Sequence, residues 1–227
     1  AGHEEMLVRR LADAVRRADT GAQRAALAAM QASGAGRETI AEHYIPEAAR
    51  LLGEEWCSDS LSFADVTIGT ARLQAILREL EAGTARRGIA DGTAPTVLVV
   101  VPPDEYHTLG AMVVTGQLRR MGSSVRLCAG QELGVLLEFV ASGGFDMILV
   151  SWANSERLDA LQRLVARMRK AAPAPTPIVV GGAILSSLED TAGLTGADFA
   201  TSDVAEALDL CGLSDRVTRA GRCTAMV

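Results

Sequence analysis

Apolar positions change their spacing near the middle of the chain, and the structure they predict changes with it. Up to about residue 83 they recur every three or four residues. After about residue 95 they come as short unbroken runs separated by helical stretches. The first pattern predicts amphipathic helices, the second buried strands alternating with helices. Between them, residues 81–95 hold three glycines, a proline and several small polar residues, and predict a domain boundary near 85–95. The two expected domains are a helical one over 4–85 and an α/β one over 95–215.

Residues 4–83 are rich in Ala, Leu, Arg and Glu, which favour helix. Met6, Leu7, Leu11 and Val15 form a first stripe. Thr20-Gly-Ala-Gln23 has a capping-box pattern and predicts the start of a second helix, ended by Ser33-Gly-Ala-Gly36. Thr39-Ile-Ala-Glu42 is another such pattern. Pro46 falls inside the third helix and predicts a kink or restart. From Glu47 the helix continues, with Ala48, Leu51, Leu52 and Trp56 near one face. A turn at Cys57-Ser-Asp-Ser60 follows, then a capping box at Ser62-Phe-Ala-Asp65. Phe63, Val66, Thr70, Leu73, Leu77 and Leu80 give the stripe of a long last helix. Four helices with short connections make a small bundle. Trp56 and Phe63 stand out in a chain with 4% aromatic residues. Either they plug the bundle core, or the bundle end faces a large flat ligand. His43 reads as a surface or helix-packing histidine.

The second half predicts strands at 97–101, 124–128, 147–150 and 177–180, with a last edge strand at 199–200. Helices are expected at 110–121, 132–141, 156–170 and 204–211, with a short one at 186–191. This alternation implies a parallel, doubly wound sheet. The first strand, Val97-Leu-Val-Val-Val101, is apolar throughout, as strands buried on both faces are. Pro102 and Pro103 end it, since neither can donate to a ladder.

Composition narrows the functional classes. The chain has 227 residues, 48% hydrophobic and 22% charged, an ordinary folded composition with room for real cores. The net charge of −6 disfavours direct DNA binding, and there is no basic cluster with interleaved aromatics. The four cysteines, Cys57, Cys128, Cys211 and Cys223, lie far apart and form no Cys-x-x-Cys pair. A reduced, cytoplasmic setting is therefore expected. No apolar run approaches the roughly 20 residues of a membrane span. Nor does the N-terminus hold a signal-peptide core; Ala1-Gly2-His3 has the look of an expression scar.

Three strand ends carry candidate chemistry: Glu105 and His107, then Ser151, then Gly181 and Gly182. All should meet at the carboxyl edge of one sheet, where open α/β sheets bind ligands. A neutral imidazole offers one lone pair to a metal, and a carboxylate on its other nitrogen orients it and raises its basicity. Gly110, Gly181 and Gly182 remove side chains where backbone must approach a ligand. One histidine is too few for a zinc site. It suits a metal already held in a macrocycle. Against this, strand-end glycines also form ordinary turns, and a loop histidine can simply be solvated.

These residues carry a family resemblance. Glu105-Tyr-His107-Thr108-Leu-Gly110 resembles the Asp-x-His-x-x-Gly motif of cobalamin-binding domains. Ser151-Trp-Ala153 resembles their Ser-x-Leu, and Gly181-Gly182 their closing Gly-Gly. The gaps agree, with 40 residues between Gly110 and Ser151 and 27 between Ala153 and Gly181. Residues 45–56 resemble the four-helix cap that precedes this domain in methionine synthase and B12 photoreceptors. The resemblance implies a bundle cap followed by a Rossmann-like, flavodoxin-like domain. It implies His107 as the cobalt ligand oriented by Glu105, and Ser151 beside the benzimidazole tail. Thr108, Gly110, Ala153, Gly181 and Gly182 would lie about the cofactor, with Trp56, Phe63, Val66 and Thr67 over its upper face. Three departures stand out. Glutamate replaces aspartate at 105, and alanine replaces leucine at 153. Val66 and Thr67 stand where adenosylcobalamin repressors of the CarH kind carry a Glu-His pair.

The variant Glu-x-His and the run from Leu61 to Gln74 look most like the AerR/PpaA group, antirepressors of photosynthesis genes. That resemblance implies a light or redox sensor without enzymatic turnover, whose partner is a transcriptional repressor. A corrinoid methyl carrier serving a methyltransferase has the same layout. A haem sensor, with His107 and a cysteine or His43 as axial ligands, is a third reading.

Overall fold

The computed structural model describes residues 2–82, 94–173 and 175–218. The chain divides into two units, Ala1–Gly83 and Thr84–Val227. The linker expected at residues 85–95 falls mostly outside the described residues, as does Cys223.

The first unit is helical. Helix α1 (Gly2–Arg16) packs on α2 (Thr20–Ala32), α4 (Ile45–Cys57) and α5 (Phe63–Glu81). Leu7, Leu11, Val15, Met30, Ile45, Leu52, Leu73 and Leu77 fill its core. Two expected caps are corrected. Helix α2 is capped by Asp19, whose carboxylate accepts from Ala22 N, so Thr20 is already helical. A carboxylate one residue upstream does the same work as the Thr20 hydroxyl would. Thr39 also lies within helical backbone and makes no capping bond. It ends the short α3 (Arg37–Thr39), which Gly36 precedes.

A π-helical turn, Ile40–Tyr44, then leads into α4. Pro46 explains it. Proline has no N–H for the Glu42 carbonyl, and its ring crowds that carbonyl. The wider turn absorbs the conflict, with Ile45 N–H reaching back to Ile40 O. The expected box at the start of α5 is present with both reciprocal bonds: Asp65 N donates to Ser62 Oγ, and Ser62 N to Asp65 Oδ2.

The second unit is a five-stranded sheet of parallel neighbours in the order β2-β1-β3-β4-β5. Its strands are β1 (Thr96–Val101), β2 (Ser124–Ala129), β3 (Met147–Ser151), β4 (Ile178–Gly181) and β5 (Phe199–Ala200). Helices α6 (Thr108–Arg120), α7 (Leu133–Ser142), α8 (Leu158–Ala171) and α10 (Val204–Leu210) flank it. Strand β1 is buried on both faces: Leu98 and Val100 enter one core, Val97, Val99 and Val101 the other. The chain leaves β1 toward β2 and later returns to β3 on the opposite side. That reversal opens a crevice at the carboxyl ends of β1 and β3.

One element differs from expectation. No helix spans 186–191; a 3-10 turn at Ala183–Ser186 and a short α9 (Thr191–Thr195) lie on either side. Asp190 decides this, because its side chain accepts from Gly193 N and starts α9 afresh. No described helix is long and apolar enough to cross a membrane.

Candidate functional site

The loop after β1 is built by its prolines and by one carboxylate. Glu105 N donates to Pro102 O at 3.0 Å, which turns the chain sharply. The Glu105 side chain then folds inward and is buried. Its Oε1 accepts from His107 Nδ1 at 2.6 Å and from His107 N at 2.9 Å. Its Oε2 accepts from Ala153 N at 2.8 Å, on the loop after β3. Burial pushes the Glu105 carboxyl up, but the bonds from the His107 ring, His107 N and Ala153 N outweigh it and hold it at about 2.

The bond to Glu105 raises the His107 pKa, against a smaller lowering by burial. Because an ionised carboxylate only accepts, the ring proton belongs on Nδ1. That leaves the Nε2 lone pair on a side chain that is 77% exposed. His107 also occupies the N-cap place of α6 but makes no side-chain cap bond, so its ring is available. Helix α6 begins at Thr108, two residues before Gly110.

A cleft of about 150 Å³ lies against the first turns of α6, which this loop leads into. Gly110, Ala111 and Val114 of α6 form one wall, and residues 201–204 form the other. Leu149, Ser151, Gly181 and Gly182 complete it. Ser151 and Gly181 are paired in the sheet register, so the hydroxyl and the glycine lie side by side. The Ser151 hydroxyl has no hydrogen-bond partner among the described residues. At Gly110 an added Cβ would meet nothing within 4 Å, so this glycine leaves open space. Gly182 serves the backbone: its φ is +101°, and a Cβ there would lie 2.5 Å from Trp152 O.

The expected residues Glu105, His107, Thr108, Gly110, Ser151, Ala153, Gly181 and Gly182 therefore gather at one sheet edge. Ala153 contributes its amide to Glu105. The sequence reading missed Ala111, Val114, Leu149 and residues 201–204, and they carry no motif that would have drawn attention. They are far apart along the chain and meet only because β4, β5 and α6 pack as they do.

Trp56, Phe63, Val66 and Thr67 lie in the helical unit around the α4–α5 turn. The core-plug reading is corrected, since Trp56 is 46% exposed and Phe63 71%. Their rings contact each other edge to face, with centroids 6.3 Å apart at 61°. The α5 core is made instead by Gly69, Leu73, Ile76 and Leu77. Val66 is half-buried, and the Thr67 hydroxyl donates to Phe63 O at 2.8 Å. His43 is exposed and pairs with Glu4.

A family model described as the B12 binding domain matches residues 95–209. The chain belongs to that family. A relative from Rhodobacter capsulatus, described as an uncharacterized 20.5 kDa protein in the bchF-crtJ intergenic region, is 38% identical over 167 residues. The match covers 74% of this chain and 87% of the relative. The solved monomethylamine corrinoid protein of Methanosarcina barkeri has a TM-score of 0.71, over 93% of this chain and 99% of that one. At 14% identity it shares the fold: a helical region followed by the B12-binding domain's parallel sheet. The Glu105–His107 loop and the cleft both lie within the matched B12-binding domain. The residues of this sheet edge fit a corrinoid: an anchored imidazole with a free nitrogen on the loop after β1, and in the cleft an unpartnered hydroxyl and a glycine that leaves room.

Proposed function

We propose that this chain holds a cobalamin on His107 and serves as a light- or redox-responsive regulatory protein acting on a transcription factor. The observation that carries the cofactor part is the Glu105–His107 pair, with Nδ1 fixed at 2.6 Å and Nε2 free. Glu105 keeps the proton on Nδ1, so the other nitrogen can ligate. The Ser151 hydroxyl offers a hydrogen bond to a ring nitrogen of the cofactor's tail. Gly110 leaves space for that tail, and the apolar groups of Val114 and Leu149 exclude water. The bound group would supply a metal with an exchangeable upper ligand and accessible redox states. Trp56, Phe63, Val66 and Thr67 are assigned by resemblance to the upper face, and the exposure of the two aromatics supports that assignment.

The regulatory part draws support from the relative in the bchF-crtJ region, a photosynthesis gene region. This agrees with the resemblance to the AerR/PpaA group of antirepressors. The proposed partner is a transcriptional repressor of photosynthesis genes, and the proposed setting is the cytoplasm, without catalytic turnover. A corrinoid methyl carrier is the second reading, favoured by the fold of the monomethylamine corrinoid protein. The haem reading draws no support from either relative.

The test is spectroscopic. Hydroxocobalamin added to the purified protein should give a shifted spectrum that survives dialysis and is lost in His107→Ala. Colour that dialyses away would end the cofactor reading. Spectra in darkness and after illumination, each with co-purification of a repressor encoded nearby, test the regulatory reading. A repressor bound equally in every state would end it. Methyl exchange with a methyltransferase encoded nearby would favour the carrier.

A further inference from the structure

The chain has two tyrosines, and their surroundings are opposite. Tyr44 is 8% exposed within the helical unit, whereas Tyr106 is 85% exposed. A lone exposed aromatic on a mobile loop would need no explanation. Tyr106 is held differently. It stands between the buried Glu105 and the ligand candidate His107, and its backbone is bonded on both sides. Glu105 N donates to Pro102 O, and Thr108 N donates to Tyr106 O, each at 3.0 Å.

The loop is also tied to the segment after β3 at two points. Ala153 N donates to Glu105 Oε2 at 2.8 Å, and Arg157 Nη2 donates to Asp104 Oδ2 at 2.9 Å. A large aromatic side chain is thus presented to solvent on a turn whose backbone is already ordered. Such preorganisation lowers the cost of ordering when a ligand arrives.

We propose that Tyr106 is a second contact of this loop with the macrocycle, one residue from the axial ligand. The proposal rests on the cobalamin reading of His107. Neighbouring Cα atoms are about 3.8 Å apart. A macrocycle whose metal sits on Nε2 overhangs the imidazole on every side. A tyrosine beside that imidazole, and not turned into the protein, lies within reach of the overhang. Its ring offers apolar surface to the macrocycle, and its hydroxyl can hydrogen-bond a peripheral amide.

The two tyrosines make the test clean. Tetranitromethane should nitrate Tyr106 and spare Tyr44, read by peptide mass spectrometry. With hydroxocobalamin bound, as its own spectral shift verifies in the same sample, Tyr106 nitration should slow several-fold. Tyr106→Ala should weaken hydroxocobalamin binding on the order of tenfold. It should melt as the wild type does, and Tyr106→Phe should retain most of the affinity. Unslowed nitration in the loaded protein, or an unchanged affinity in Tyr106→Ala, overturns the contact. A sample with no spectral shift at all overturns the cobalamin reading itself, a different result.

Discussion

Glu105 Oε1 lies 2.6 Å from Nδ1 of His107, while the other oxygen of the same carboxylate holds the amide of Ala153 at 2.8 Å. One buried side chain therefore sets the tautomer of the imidazole and joins the loops that leave β1 and β3. The extra methylene of glutamate, relative to the aspartate of the motif it resembles, leaves both contacts intact.

Glu105→Gln should weaken hydroxocobalamin binding by about 10–100-fold, the usual cost of losing the partner of a metal-ligating histidine. A neutral amide neither accepts as strongly nor raises the basicity of the ring. Spectral titration measures this, and an affinity equal to wild type would remove Glu105 from the orienting role.

Acid should weaken the unloaded protein through the same residue. Folding takes the Glu105 carboxyl from 4.5 to about 2. A lowered carboxylate contributes stability above its unfolded value, and that contribution is lost as pH falls from about 4.5 toward 2. The drop corresponds to roughly 3 kcal/mol, shared with its donors. His107 acts in the opposite sense: its raised value adds stability below 6.5 that is lost as pH rises through the folded value. Urea melts of wild type and Glu105→Gln should differ most at mildly acidic pH and converge toward pH 2. A gap that widens on acidification would contradict this. Corrinoid affinity should fall as pH drops below the raised His107 value, because a proton then competes for Nε2.

Two glycines of the cleft should separate fold from binding. Gly182→Ala meets Trp152 O at 2.5 Å with φ at +101°, and should cost about 2–4 kcal/mol of stability. Gly110→Ala meets nothing within 4 Å, so it should fold normally while narrowing the cleft. Thermal melts and hydroxocobalamin titration of both variants decide it. A Gly110→Ala protein with lowered stability and unchanged affinity would reverse the assignment.

Phe63→Ala should change stability by less than about 1 kcal/mol, because the ring is exposed and loses mainly its edge contact with Trp56. Leu73→Ala, at a fully buried position of the same helix, should cost about 2–5 kcal/mol. Chemical denaturation compares them, and equal losses would return Phe63 to the core.

The strands, most helices and the convergence of strand ends were legible because each rests on local pattern. The run Val97–Val101 has to be buried, Pro102 and Pro103 have to end it, and parallel connectivity brings the carboxyl ends together. Caps were legible only where one residue could do the work. At Ser62 the box formed, whereas at Thr20 the neighbouring Asp19 took the N-cap role, and Pro46 drew the Thr39 region into a π turn.

By itself the sequence determined a helical half, a parallel α/β half, and the Glu105–His107 pair at a strand end, since period, proline and glycine act within a few residues. Only the tertiary structure decided which face of α5 is covered, and so left Phe63 and Trp56 exposed. It also decided that Glu105 reaches Ala153, 48 residues away along the chain, and that residues 201–204 wall the cleft. Burial and hydrogen-bond partners depend on what packs opposite, and a periodic stripe carries no record of its neighbour.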